Sequence, residues 1–569
     1  MLFNSYEFIF GFVPVTLAGF LALGAGSRAW ALRWLIFASL LFYAWWRPLN
    51  VLIIAPSIVI NFLLARALQR LGDSQRQRHA ATAILVLGIL FNVAFLGYFK
   101  YIDFARTAIN DAFGTNLVLT HIILPLGISF ITFQKIAFLI DIYAKRVTSF
   151  TLQDYCLFVL FFPQLIAGPI VHYREMMPQF QSAPCRFDKE NVAVGLTLFL
   201  FGLFKKAVLA DSIAPHVSLI YEHAAAGGGT SFFLAWMAAV GFTLQVYFDF
   251  SGYSDMALGL ARLFGIRLPA NFYSPLRASS IIDFWLHWHM TLTRFLTAYV
   301  FNPLMLALTR RRLALRESVL KGPNTTLWAF VVLLMFPLVL TMFISGVWHG
   351  AGYTFLVFGL LHGFYLTINH GWRLWGMRLW PDRGAYLRIM NPVGFMLTFV
   401  SVAVAMVFFR SSTMGSAIDL VKGMVGLNGV SLPPAVFRRL GPLADWLHGV
   451  GIGQQLWGGE DFLVLAMWIP ILMFIVLVFP NTLQILARYE PVGNRRHRDS
   501  LLGRAQRVLI LAVLSTAIWQ QARCKPNHRN SPGRRQRKCE QGVSGHQSDE
   551  LGLADCVGHG RSVDPSPEA

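Results

Sequence analysis

Charge is what this sequence has least of. Lys, Arg, Asp and Glu make up 13% of its 569 residues, against roughly 25% in soluble domains. Acidic residues are the scarcer sign, 28 against 48 basic ones. A chain with so little charge cannot cover several water-soluble domains, so its length does not signify a string of them. Cysteine is sparse too: Cys156 and Cys185 stand alone, and Cys524, Cys539 and Cys556 fall near the C-terminal end. They form neither a disulfide framework nor a metal-binding pattern, and a zinc site made from the last three with nearby His fits no known spacing. No metal is expected.

What is abundant is apolar surface: 56% of residues are hydrophobic and 14% aromatic. Apolar runs of roughly twenty residues recur, the length that crosses about 30 Å of hydrocarbon. Phe8–Ala25, Ala81–Tyr98, Val192–Phe204, Leu327–Ile344, Val393–Phe409 and Phe462–Phe479 are examples. A sliding window finds about eleven to thirteen. The expected fold is all-α, a polytopic integral membrane protein lying across a lipid bilayer. The net charge of +20 then has a simple source, since cytoplasmic loops collect Lys and Arg. Arg66, Arg70, Arg76 and Arg78, then Arg310 to Arg312, then Arg495, Arg496 and Arg498 lie between apolar runs rather than along one soluble face, so nucleic acid is not an expected partner. The early loops predict an outside N-terminus with the first and third loops inside. Lys100 and Arg106 break that count. The first span lacks a basic leader and is expected to be retained.

The chain divides into a membrane body, 1–520, and a polar tail, 521–569, rich in Gly, Pro, Ser and charge. Such a tail cannot repay its ordering entropy and is expected to be disordered. Within the body, "ILPLGISFITFQ" (123–134) and "LFFPQLIAGPIV" (160–171) are broken by Pro and Gly. Broken backbone at membrane depth must be buried in protein or line an aqueous cavity, so both are expected as kinked or re-entrant helices around a central funnel. The polar stretches 173–191 and 411–460 are expected at the surface, with short amphipathic helices.

Three clusters put polar residues where they are expensive. In "LQVYFDFSGYSDMALGLA" (244–261), Asp249 and Asp255 sit in an apolar segment. A carboxylate costs about 2.5–3.5 kcal/mol at bilayer depth, so these two either cap helix breaks or contact substrate. In "SSIIDFWLHWHMTLTRFL" (279–296), His287 and His289 interleave with Trp285 and Trp288. An interfacial belt explains the tryptophans and Arg294; two histidines at i and i+2 fall on different helix faces, so at most one is expected to face an interior site. In "SGVWHGAGYTF" (345–355), His349 follows Trp348 between Gly346 and Gly350. An imidazole is cheaper to bury neutral than a carboxylate and still accepts a proton. It is either a core side chain bonded to a carbonyl or a general base for a hydroxyl.

Together "DFWLHWHMTLTRFL" and "SGVWHG" resemble the signature of the membrane-bound O-acyltransferase family. "FFPQLIAGPIVHYREMMPQF", "GLFKKAVLADSIAP" and "YFDFSGYSDMALGLARLFGI" look like its bacterial branch, which O-acetylates alginate and related exopolysaccharides. The resemblance runs in order from about residue 1 to about 515. It implies a helix bundle around a funnel, with a cytosolic acyl thioester such as acetyl-CoA as donor. It implies an extracytoplasmic acceptor, a periplasmic esterase-like acetyltransferase partner and an inner-membrane location. By the same resemblance His349 is the catalytic candidate, for which the residues suggest general-base work, and His289 is a second catalytic candidate that polarises or positions the acyl group or holds a structural hydrogen bond. Trp348, Trp288, Asp249 and Asp255 are supporting, funnel-lining candidates.

Two stretches depart from the branch. Leu286 and His287 stand where many relatives have a basic pair, and "YVFNPLMLALTRRRL" (299–313) replaces a "YIPLGG"-like turn expected as a loop near the funnel mouth. The acceptor is thereby left open: cellulose or another glycan, or D-alanyl transfer to teichoic acid, use the same chemistry. An ion-coupled transporter or flippase using buried Asp and His, and a non-catalytic scaffold, are the readings from other classes.

Overall fold

Low charge and long apolar runs give a chain that is helical almost throughout. The computed structural model describes residues 1–493 apart from 73, 183, 184, 381 and 456; the boundary expected at 520, the tail and its cysteines lie outside the described residues. The helices that frame the interior are α1 (Glu7–Gly26), α2 (Arg28–Trp46), α3 (Leu49–Arg70), α4 (Gln75–Phe113) and α5 (Ile128–Tyr143). They continue with α6 (Lys189–Ala210), α7 (Phe232–Leu263), α8 (Ile281–His287), α9 (Met290–Leu296) and α10 (Leu327–His349). The last are α11 (Tyr353–Trp375), α12 (Gly384–Arg410) and α13 (Gly459–Val478).

Among the described residues nine helical stretches are long and apolar enough to cross a bilayer, fewer than the eleven to thirteen expected. Other segments, α5, α8, α9 and the short helix Phe162–Leu165, are too short to count as spans, and most of their residues are buried in protein. The chain is a multi-pass integral membrane protein. Residues 299–313, expected as a loop, are helical instead, continuing from Thr297–Phe301 into Asn302–Ala314. The stretch 411–460 carries the expected short helices and one parallel strand pair, Ser431–Leu432 with Gly453–Gln454.

Two apolar cores form. One gathers Phe8, Phe12, Phe42, Phe162 and Phe264; the other gathers Phe242, Phe248, Phe284, Trp288 and Phe358. The most enclosed of the nine spans, α7, belongs to both: Leu234 to Phe248 face the second core and Met256 to Leu263 the first. Of the two roles left open for Asp249 and Asp255, capping a helix break is excluded, because α7 runs through "SGYSD" without interruption. Its partner is α6. A Cβ on Gly202 would lie 2.5 Å from the Gly252 carbonyl oxygen, and one on Gly252 would lie 2.7 Å from that of Gly202. Small residues let helix backbones meet this closely in membranes. A third, smaller cluster bridges α5, α9 and α10 through Phe133, Phe295 and Trp348.

Candidate active site

A cavity of about 350 Å³ opens where these clusters meet. Its walls are mostly apolar, and three ionisable side chains reach it: His289, His349 and Lys100. Both interrupted segments contribute backbone. Pro125, Gly127 and Ser129 line one side, Ile166 and Ala167 another, as broken backbone at this depth requires. Gly127 caps α5 in the left-handed region at φ 69°, and a Cβ there would stand 2.7 Å from the Leu165 carbonyl oxygen. Only glycine meets both conditions.

His349 is the last residue of α10. The end carbonyls of a helix lack partners inside it, and α4 supplies them: Tyr101 donates its hydroxyl to Val347 O at 2.5 Å, and Lys100 donates from Nζ to Trp348 O. A cation at a helix C-terminus is also favoured by the helix dipole. This explains Lys100, which broke the loop-charge count: it is an interior residue, not a loop residue. Gly346 lets α11 approach, since a Cβ there would lie 2.3 Å from the Phe355 carbonyl oxygen. The glycine serves the protein's own packing. The His349 ring is held by aromatic contacts, with centroids 4.8 Å from Trp348, 5.2 Å from Phe409 and 5.9 Å from Phe358.

His289 is positioned differently. The helix breaks between the two histidines of "HWH": α8 ends at His287, Trp288 is extended, and His289 turns the chain at φ 42° before α9 begins. His287 bonds back to the Asp283 carbonyl at 2.8 Å, and only His289 of the pair lines the cavity. The expected separation is therefore present, but a chain break produces it rather than opposite faces of one helix. The Nδ1 of His289 pairs with Asn271 Oδ1 at 3.1 Å, and its Nε2 is buried with no hydrogen-bond partner among the described residues. Trp288 and Trp348 also line the cavity, and Trp348 Nε1 is a second buried group without a hydrogen-bond partner among the described residues.

Asp249 and Asp255 are placed elsewhere. Neither lines this cavity and neither caps a helix break. Asp255 pairs with Lys205 at 2.6 Å and accepts the Thr482 hydroxyl at 2.7 Å; Asp249 pairs with Lys206 at 2.5 Å. Both carboxylates are paired with lysines of α6; Asp255 is buried against Lys205, whereas Asp249 and Lys206 stay partly exposed, and pairing is how a charge at this depth is tolerated.

Three residues near the site were not site candidates in the sequence. Asn271 and Lys100 are described above. His362, fully buried, accepts the Trp285 indole N–H at 3.2 Å and packs against Phe358. A helix-face count with a period of 3.6 cannot find them, because each meets its partner across separate elements.

The model of the membrane-bound O-acyltransferase family matches residues 142–318. Peptidoglycan O-acetyltransferase of Helicobacter pylori is 39% identical over 461 residues, covering 76% of this chain and 81% of its own. The probable alginate O-acetylase AlgI of Pseudomonas aeruginosa is 35% identical, covering 74% and 75%. A teichoic acid D-alanyltransferase of Streptococcus thermophilus is 31% identical over a shorter stretch, 43% of this chain and 57% of its own. The similarity spans both histidine segments and the glycine-packed α6–α7 pair, most of a chain whose low charge and broken helices only a membrane fold explains, and the chain belongs to the membrane-bound O-acyltransferase family.

Proposed function

We propose that this chain moves an acetyl group from a thioester donor, acetyl-CoA or a similar carrier, entering from the cytosol to a hydroxyl presented from the opposite side. The acetyl group serves O-acetylation of an extracytoplasmic polysaccharide, and the chain works in a bacterial inner membrane beside a periplasmic esterase-like acetyltransferase. One observation carries the reading: two imidazoles and one ammonium reach a single cavity whose other walls are largely apolar. Acyl transfer needs a base for the hydroxyl, a group that stabilises the oxygen of the tetrahedral intermediate, and shelter from water. General-base catalysis contributes about 10²- to 10⁴-fold, and holding donor and acceptor together contributes more. The hydroxyl oxygen bonds to the thioester carbon, the C–S bond breaks, and the hydroxyl proton ends on the sulfur.

An alginate-like exopolysaccharide is the first acceptor reading. Peptidoglycan is the second, favoured by the 39% identical relative. Ion-coupled transport is less well supported, because the two aspartates it would use are already paired with lysines. The test is ester-linked acetate, released by mild base from surface polysaccharide and from purified cell-wall sacculi. Cells lacking the gene are compared with cells carrying the wild-type chain, His349→Ala or His289→Ala. Loss of acetate from one fraction in the deletion and both variants supports the reading and identifies the acceptor. Unchanged acetate in both fractions with the variants inserted and folded rejects it.

A further inference from the structure

We infer that Asn271 is a positioning residue that fixes which nitrogen of His289 carries the hydrogen, dividing the two imidazoles into a proton acceptor, His289, and a hydrogen-bond donor, His349. The inference rests on the acyl-transfer reading above and assigns the roles within it.

The amide of Asn271 can face His289 in only one way. The atom 3.1 Å from Nδ1 also receives the Thr291 hydroxyl at 2.8 Å and the Thr291 main-chain N–H at 3.4 Å. A main-chain N–H can only donate, so the atom facing it is the amide oxygen. On its other side the amide nitrogen donates to Ser254 Oγ at 3.1 Å. Both ends of Asn271, itself 1% exposed, are therefore determined. Facing an acceptor, Nδ1 of neutral His289 must carry the hydrogen, which leaves a lone pair on Nε2.

A bare Nε2 cannot polarise a carbonyl; it can only accept. It is buried, without a partner among the described residues, on a ring that lines the cavity. The His349 ring is held by aromatic packing, and neither of its nitrogens has a hydrogen-bond partner among the described residues. It can present an N–H from either nitrogen beside the Lys100 ammonium. The step that follows balances. Nε2 of His289 takes the hydroxyl proton as the oxygen bonds to the thioester carbon. An N–H of His349 donates to the carbonyl oxygen as it becomes negative. The C–S bond breaks, the proton on Nε2 passes to sulfur, and both rings end as they began. This inverts the expectation from sequence, in which His349 is the base.

The experiment uses inverted membrane vesicles from cells making the full chain, with radiolabelled acetyl-CoA as donor, reading label in the endogenous polysaccharide fraction. Asn271→Leu should lower the maximal rate about 10²-fold, at the low end for a lost base, with the KM for acetyl-CoA unchanged. Asn271→Asp, which still accepts from Nδ1, should recover most of that rate. Rates are compared per folded molecule, because the same oxygen also holds Thr291 and its loss acts on the fold as well. His289→Gln should lose at least about 10³-fold, whereas His349→Gln, which keeps an N–H, should lose less than His349→Ala, expected to fall about 10²- to 10³-fold as for a missing oxyanion donor. Wild-type rates in Asn271→Leu, no recovery in Asn271→Asp, or His349→Gln as inactive as His289→Gln would each overturn the assignment. Wild-type vesicles that pass no label would remove the acyl-transfer reading and this inference with it, a result distinct from the others.

Discussion

Tyr101 on α4 donates its hydroxyl to the main-chain carbonyl of Val347 at 2.5 Å, two residues before His349. The end of α10 is thus fixed by a neighbouring helix, and the ring that projects from it inherits that placement. Tyr101→Phe removes one hydrogen bond, worth about 0.5–1.5 kcal/mol. The thermal midpoint in detergent should fall modestly, and the transfer rate should fall further, because His349 loses a fixed origin. A variant with wild-type rate and midpoint would show that α4 does not position this residue.

The two lysine–aspartate pairs should respond unequally. Lys205 and Asp255 are 14% and 9% exposed, while Lys206 and Asp249 are 30% and 42%. Removing one partner of a buried pair strands a charge and costs about 3–5 kcal/mol, whereas partly exposed pairs contribute about 0–1 kcal/mol. Asp255→Asn should therefore lower the yield of folded protein sharply and Asp249→Asn hardly at all. Transfer rate per folded molecule should be retained in both. A rate lost in Asp249→Asn with normal folding would return that carboxylate to the chemistry.

These pairs mark the limit of what the sequence could say. The cost of a carboxylate at bilayer depth made Asp249 and Asp255 conspicuous, and the physics was sound: each needed a partner. The partners, Lys205 and Lys206, stand side by side in "GLFKKAVLADSIAP", but pairing them required knowing that Gly202 and Gly252 bring α6 against α7. The cavity walls were easier to read, because Pro125, Gly127, Pro163 and Gly168 interrupt apolar runs and a break at that depth has few uses. His289 and His349 were legible for the same reason, as polar groups with no cheap explanation. Asn271 was not. An Asn in "RLPANFYSPL" is an ordinary turn residue until Ser254, His289 and Thr291 are seen around it.

Gly127 offers a test of whether the cavity wall tolerates any side chain. At φ 69° with the Leu165 carbonyl 2.7 Å from a Cβ position, alanine would meet left-handed strain of about 1–2 kcal/mol and a collision with backbone. Gly127→Ala should lower both stability and transfer rate. Gly97→Ala, on α4 with no atom within 4 Å of its Cβ position, is the control. It should be neutral or stabilising by up to about 1 kcal/mol, since Ala is the better helix former. Equal behaviour of the two variants in thermal unfolding would mean that the Gly127 turn can relax.

The seam between α6 and α7 couples packing to charge, and that coupling is measurable. Lys205 and Lys206 follow Gly202 by three and four residues, and Asp249 and Asp255 stand three residues either side of Gly252. The close backbone approach and the ion pairs are therefore one interface, one helical turn apart. Gly202→Val would place atoms where the Gly252 carbonyl now lies 2.5 Å from a Cβ. Overpacking of that kind typically costs about 1–3 kcal/mol. It should also lengthen the distance between Lys205 and Asp255, so that Asp255→Asn has less left to lose in the Gly202→Val background. Residues sharing an interface commonly couple by about 0.5–3 kcal/mol, and the double variant should be less destabilised than the sum of the single changes by an amount in that range. Strict additivity in unfolding measurements would separate the glycine contact from the ion pair, and the α6–α7 seam would then have to hold Lys205 in place by some route other than helix proximity.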